Sequence, residues 1–76
     1  MNKAKRKSIA KIIEDVDSAI ENIQSVMDEE QEGYDNLSDS LQQGDKGQKM
    51  SDAIDNLQQA MDSLEEAKGS LEEASV

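Results

Sequence analysis

The sequence predicts an all-α protein, an antiparallel helical hairpin that dimerises into a four-helix bundle. Three observations predict it. Apolar residues recur with heptad spacing in both halves of the chain, and no proline interrupts either half. Hydrophobic residues make up only 34% of the 76 residues, against roughly 45–50% in typical globular domains. A chain so poor in apolar side chains gains stability by burying surface between copies, so self-association is expected.

Two long helices are predicted, over about residues 5–32 and about 46–74. Apolar residues at heptad positions a and d form a seam along each helix. These residues are the predicted oligomer core: Ile9, Ile13, Val16, Ile20, Ile23, Met27, Met50, Ile54, Leu57, Met61, Leu64 and Leu71. A third stripe at position g consists of Ile12, Ala19, Val26, Ala53, Ala60, Ala67 and Ala74. Three apolar positions in seven fit a bundle of three or four helices.

The connection between the two helices has its own start and stop signals. Gly33 is predicted to end helix 1 as its C′ residue. Ser38 is predicted to cap a short connecting helix over about 38–43, which Gly44 ends. A connection this short makes the two long helices antiparallel.

Two polar positions bear on the second helix. Asp45 followed by Gln48 predicts a capping box at its start. Lys68 occupies an a position among apolar neighbours, and two interpretations remain open. It sets the register or oligomer state at some cost in stability, or it extends its ammonium group to solvent near a frayed helix end.

Charge is distributed unevenly along the chain. The formal net charge is −10, yet the start is basic and every acidic residue lies from Glu14 onward. We expect residues 1–76 to form a single domain with a basic, flexible tail over residues 1–7. Antiparallel helices place this basic start beside the acidic end of helix 2, which carries Glu65, Glu66, Glu72 and Glu73. The acidic body predicts attraction to basic protein surfaces and no tight binding of duplex nucleic acid.

Several chemical functions are excluded by residue type. The chain has no Cys and no His, which excludes disulfides, thiolate or imidazole metal sites, and Cys or His catalysis. The acidic residues lack the spacing of an EF-hand loop, and one aromatic residue with a thin core does not build the desolvated pocket that a catalytic carboxylate needs. No enzyme activity, cofactor, metal or small-molecule substrate is therefore predicted. No apolar run is long enough for a membrane span or a signal peptide, so a cytoplasmic location is expected.

The candidate binding surface is the densest run of acidic residues in the chain. It contains Asp28, Glu29, Glu30, Glu32, Tyr34 and Asp35. Tyr34 is the only aromatic residue, and it is interpreted either as a plug at the end of the bundle or as a binding anchor. The acids are interpreted either as a solvated surface or as a surface that binds a basic protein.

A longer stretch around this run resembles a known group of proteins. It reads Asp28-Glu-Glu-Gln-Glu-Gly-Tyr-Asp-Asn-Leu-Ser-Asp-Ser-Leu-Gln42, followed by Gly47-Gln-Lys-Met50. It is similar to a largely uncharacterised group of short acidic helical proteins from phages and mobile elements of Gram-positive bacteria. Ser38 stands where that group has Pro. The resemblance implies a phage-encoded protein in the host cytoplasm.

Small acidic phage proteins often act by binding host proteins. By that analogy the chain is expected to bind and inhibit or modulate a host protein, such as a defence or nucleic-acid-binding protein. The alternative is a purely structural coiled-coil bundle whose only specific partner is itself.

Overall fold

The computed structural model describes all 76 residues, and the protein it shows is all-helical. Three helices follow one another: α1 over Lys3–Asp35, α2 over Asp39–Gln43 and α3 over Asp45–Ala74. The molecule is long and narrow, measuring 58 × 15 × 12 Å. The all-α class predicted from the heptad spacing is therefore confirmed.

The two long helices lie side by side. Helices of 33 and 30 residues placed end to end would extend about 95 Å, far beyond the 58 Å length of the molecule. Asp17, near the middle of α1, contacts Lys68 near the end of α3. Gly33, at the end of α1, lies beside the side chain of Met50, near the start of α3. The chain therefore runs back along itself after α2.

The apolar seam between α1 and α3 is only partly buried by the packing of the two helices. Met61 is the one buried hydrophobic residue, at 8% exposure, and the other predicted core residues are partly buried. In the neighbouring g stripe, Ile12 and Val26 remain 45% and 53% exposed. Packing of these two helices thus leaves much of the apolar surface in contact with solvent.

The ends of α1 differ from those predicted. The helix continues through Gly33 to Asp35, so the prediction that Gly33 ends it is wrong. Gly33 does not adopt a positive φ; it lies instead where a Cβ would come within 3.0 Å of Met50 Cε, and it eases the close approach of α3. At the other end, the Asn2 side chain accepts a hydrogen bond from the Lys5 N–H at 2.8 Å. Residues 3–7, expected in a flexible tail, therefore lie in the first turns of α1.

The connection follows one predicted capping signal and departs from another. Ser38 caps α2, because its Oγ accepts a hydrogen bond from the Leu41 N–H at 3.4 Å, and Gly44 directly follows α2 as predicted. The prediction of a capping box at the start of α3 is wrong. Gly44 is the residue that precedes α3 and supplies no side-chain cap, while the Gln48 amide donates to Asp52 Oδ1 at 2.8 Å.

Candidate functional site

The acidic turn end is the last part of α1 before the chain turns through α2, and it contains all six predicted partner-binding residues. Asp28, Glu29, Glu32 and Asp35 are exposed, whereas Glu30 and Tyr34 are partly buried. Because the six residues span more than two helical turns, they surround the helix rather than form one stripe. The sequence therefore brings them together without help from the tertiary fold.

Neighbouring glutamine side chains hydrogen-bond two of these acids. Gln24 Nε2 donates to Asp28 Oδ1 at 2.8 Å, and Gln31 Nε2 donates to Asp35 Oδ1 at 2.9 Å. Both are contacts between residues four apart on the same helix, which add modest stability to it. Neither of the two ion pairs of the chain involves a residue of the acidic turn end, so none of its carboxylates forms an ion pair.

Tyr34 lies where α1, α2 and α3 meet. Its backbone carbonyl accepts a hydrogen bond from Gln42 Nε2 at 2.9 Å and another from the Leu37 N–H at 3.0 Å. Leu37 is partly buried, while Leu41 is 48% exposed. The side chain of Tyr34 is thus partly covered and partly accessible, an arrangement that suits both an end plug and a binding anchor.

Gly47 fixes the geometry of the turn end. It is one of only two buried residues in the chain, and a Cβ at this position would clash with the backbone carbonyl of Gln42. The absence of a side chain lets α2 lie directly on the first turn of α3. Local spacing does not predict this role of Gly47, because the close approach depends on how α2 packs and leaves no periodic signal.

Lys68 and Asp17 form the ion pair between the long helices. Lys68 Nζ lies 2.9 Å from Asp17 Oδ1, and the two side chains are 31% and 47% exposed. The hydrogen bond to Asp17 and the attraction of its carboxylate raise the pKa of Lys68 above its ordinary value, and desolvation opposes the rise. Glu65 and Glu72 add to the rise. Lys68 therefore has a specific partner on α1, which sequence reasoning did not identify.

The other end of the molecule is basic and uncovered. We call residues 3–8 the basic overhang; with Met1 and Asn2 they are all exposed, and Ile9 is the first partly buried residue. A shallow depression here is lined by Ala4, Lys7, Ser8, Lys11 and Ile12. All five lining residues belong to α1, and the exposure of residues 3–8 indicates that these first turns of α1 extend past the end of α3.

The predicted pairing of this basic start with Glu65, Glu66, Glu72 and Glu73 is wrong. None of the cations of the basic overhang forms an ion pair; the nearest pair along the chain is Lys11 with Asp15, at 2.8 Å within α1. The reason is the register between the helices. The last residue of α3 packs beside α1 at a point after the basic overhang, so the first turns of α1 have no neighbouring helix.

The structure contains no group of three or more acidic residues arranged to hold a metal ion. None of its helices is long and apolar enough to cross a membrane. Comparisons with known protein families, with curated proteins and with solved structures found no match.

Proposed function

We propose that this chain is a protein–protein interaction module. In this proposal it is an antiparallel helical hairpin that dimerises into a four-helix bundle, and its acidic turn end binds a basic surface on another protein. The supporting observation is that the folded chain leaves two surfaces uncovered. One is the half-exposed apolar seam with its g stripe, and the other is a set of acids without a cationic partner.

The apolar surface supports dimerisation. One buried hydrophobic residue in 76 is a very small core, and chains of this size gain stability when a second chain completes it. Full burial of one isoleucine or valine side chain contributes about 1.5–3 kcal/mol. Ile12 and Val26 are 45% and 53% exposed, so they retain much of that contribution for an interface.

The acidic turn end supports binding of a basic protein. Its carboxylates form no ion pair within the chain; they attract a basic surface at a distance and speed the encounter, an effect that salt weakens. The accessible part of Tyr34 then supplies apolar contact area next to the charges. A dimer presents this surface twice, so a two-fold or repeating target is bound with avidity.

The resemblance to phage proteins suggests the kind of target. For a phage-encoded module, the partner is a host protein with a basic surface, such as a defence or nucleic-acid-binding protein. Occupation of that surface inhibits or modulates the host protein because it excludes the partner that normally binds there.

A second candidate function is a purely structural bundle whose only specific partner is itself. The uncovered seam favours this candidate as much as the first, because it requires nothing except a second copy. The two candidates differ in whether the acidic turn end has a partner of its own.

Capture from a lysate of the bacterial host tests the difference. The bait is the wild-type chain, and the turn-end variant carries four changes: Glu29→Gln, Glu30→Gln, Glu32→Gln and Tyr34→Ala. A matched control removes three exposed carboxylates elsewhere, on α3: Asp55→Asn, Glu66→Gln and Glu73→Gln. We expect wild type and control to retain the same basic host protein, with salt-sensitive binding, and the turn-end variant to lose it.

Two outcomes would contradict the proposal. If the wild-type chain captures nothing but itself, the structural bundle is the better account. If a folded turn-end variant binds the same protein with unchanged affinity and salt dependence, the binding surface lies elsewhere, and the outer face of α3 is the next region to test.

A further inference from the structure

We propose that two copies of this chain pack head to tail, with α1 against α1 around a two-fold axis at Ala19. Each basic overhang then lies on the acidic turn end of the other copy. This inference rests on the proposed function, whose four-helix bundle leaves the direction of the second copy undetermined. The occupant of the uncovered apolar face is thus a second copy of the same chain in a defined orientation.

Only one face of the helix pair is apolar enough for such packing. In an antiparallel pair, position g of one helix lies beside position g of the other. The g stripes of α1 and α3 therefore share one face, which includes the exposed Ile12 and Val26. The opposite face carries the e positions of α1, among them Asp17, Gln24 and Gln31. A second copy gains apolar contact on the g face alone.

The g stripe of α1 is symmetric about the middle of that helix. α1 spans Lys3–Asp35, so Ala19 is its central residue, and Ile12 and Val26 lie one heptad before and after it. An antiparallel copy of α1 centred on Ala19 places Ile12 opposite Val26 of the second copy. Ala19 then meets Ala19 of the second copy, and this small residue allows the two helices to come close. The two α1 helices also end flush.

The same register brings opposite charges together. Residues 3–8 of one copy come level with residues 30–35 of the other, so Arg6 comes level with Glu32, and Lys5, at position g, lies on the shared face. Lys5 comes level with Gly33, which has no side chain, and its ammonium group can reach the neighbouring acids. The basic overhang has four cations and the acidic turn end five acids. Lys5 and Arg6, which lack a partner within one copy, therefore come near acids of the second.

The alternative direction, with both turn ends at one end of the bundle, is unfavourable. It collects the acids of two turn ends, Asp28, Glu29, Glu30, Glu32 and Asp35 from each copy, at one end and both basic overhangs at the other. Like charges brought together repel, and more strongly at low salt. This arrangement also pairs α1 with α3 of the second copy, so neither overhang is covered.

Head-to-tail packing also divides the acidic turn end between two roles. Glu29 and Glu32, at heptad positions c and f, flank the g face and meet the basic overhang of the second copy. Asp28 and Asp35, at position b, lie toward the far side of α1 and remain free for a third protein. A strongly basic partner then competes with the overhang for the shared acids, so partner binding and dimerisation become coupled.

Introduced cysteines test the direction, because the chain has no cysteine of its own. Under mild oxidation, Ala19→Cys is expected to give a disulfide-linked dimer, since the two-fold axis brings the two positions within bonding range. An equimolar mixture of Ile12→Cys and Val26→Cys is expected to give the mixed dimer, while each variant alone stays unlinked. In the alternative direction, a mixture of Ala19→Cys and Ala67→Cys links instead.

Sedimentation equilibrium at low and high salt gives an independent reading. Head-to-tail packing predicts that the wild-type dimer gains less from added salt than the charge-reversed variant below, because attraction between the ends opposes the repulsion between two chains of net charge −10. Lys5→Glu with Arg6→Glu is expected to weaken the dimer roughly tenfold. Adding Glu29→Lys and Glu32→Lys to the same chain should restore it, because each reversed charge again meets its opposite.

The outcomes separate this inference from the proposed function. A dimer that links Ala19→Cys to Ala67→Cys, and that Lys5→Glu with Arg6→Glu does not weaken, overturns the head-to-tail arrangement and leaves the dimer intact. A wild-type chain that stays monomeric at every concentration overturns both the arrangement and the dimer. Loss of the host partner from an intact head-to-tail dimer would count against the binding function alone.

Discussion

The two ends of the molecule are stabilised by different contacts. At the turn end, Gly47 is buried under α2, Ser38 caps that short helix, and Gln42 hydrogen-bonds to the backbone of Tyr34. At the other end, α1 extends past α3 and residues 3–8 have no tertiary neighbour. The turn end is therefore defined by close backbone contacts, and the basic overhang by helix propensity and charge alone.

This difference shows where a small helical protein is sensitive to change. Close contacts leave no room for an added atom, so a side chain added at Gly47 disturbs the packing of the turn end. An uncovered helix end tolerates substitution, because its side chains contact only solvent. The basic overhang is consequently free to serve an interaction without cost to the fold of its own chain.

The largest loss of stability is expected for a substitution at Ile20, which lies midway between the two ends. Ile20→Asp places an unpaired charge in the seam that joins them, and we expect it to lower the free energy of unfolding by about 2–5 kcal/mol. Circular dichroism should show a large loss of helix, with Ser18→Asp on the exposed face as the control. Unchanged melting of Ile20→Asp would show that the heptad register is wrong.

Two glycine-to-alanine substitutions, one at the turn end and one away from it, test the close contact at the turn end directly. In Gly47→Ala, the new methyl group clashes with the carbonyl of Gln42, and we expect a loss of about 1–3 kcal/mol in chemical denaturation. Gly69→Ala is the matched control, because nothing lies within 4 Å of its added Cβ. It should stabilise α3 by about 0.5–1 kcal/mol. Equal effects at the two glycines would mean that α2 does not constrain the turn end.

The ion pair between Lys68 and Asp17 predicts a pH dependence of stability. The pKa of Lys68 is raised in the folded chain from its ordinary value of 10.5. Its stabilising contribution is therefore fully present below that value and is lost as pH rises through the raised pKa. We expect the Tm of wild type to fall above about pH 10.5, and the fall to be smaller in Asp17→Asn. Lys11 also titrates in this range, so Asp15→Asn is the control for the pair within α1.

Deletion of residues 1–7 should have the smallest effect on the fold. In about 0.5 M salt, which screens ionic contacts, we expect the stability to change by less than about 0.5 kcal/mol. We expect the full chain to bind duplex DNA at most weakly near 100 mM salt, and the same deletion to abolish that binding, because the acidic body repels phosphates. Filter binding measures this, and tight binding that survives the deletion would contradict the prediction.

Features that depend on local spacing could be predicted from the sequence. The heptad pattern predicts both long helices, and Ser38 predicts the start of the short one, because caps and helix periods involve residues only a few positions apart. The acidic turn end was predictable for the same reason, since its residues are contiguous. Whether it binds another protein stays a prediction.

Features that depend on the register between helices could not be predicted in this way. The continuation of α1 through Gly33, the packing of Gly47 under α2 and the pair of Lys68 with Asp17 each require the relative position of two elements. The predicted pairing of the basic start with the end of α3 failed because heptads repeat. A shift by one or two heptads preserves the apolar seam and changes only which charges meet.

Tyr34 gives the turn end an optical signal of its own. Because the chain has no other aromatic residue, near-ultraviolet absorption and fluorescence arise from this one position, while far-ultraviolet circular dichroism averages over every peptide bond. Melting curves from the two signals coincide if the chain unfolds as a unit, and they separate if the turn end opens first. A ligand that binds beside the phenol of Tyr34 alters the fluorescence emission of this residue. The molecule thus carries an intrinsic label at its candidate binding site.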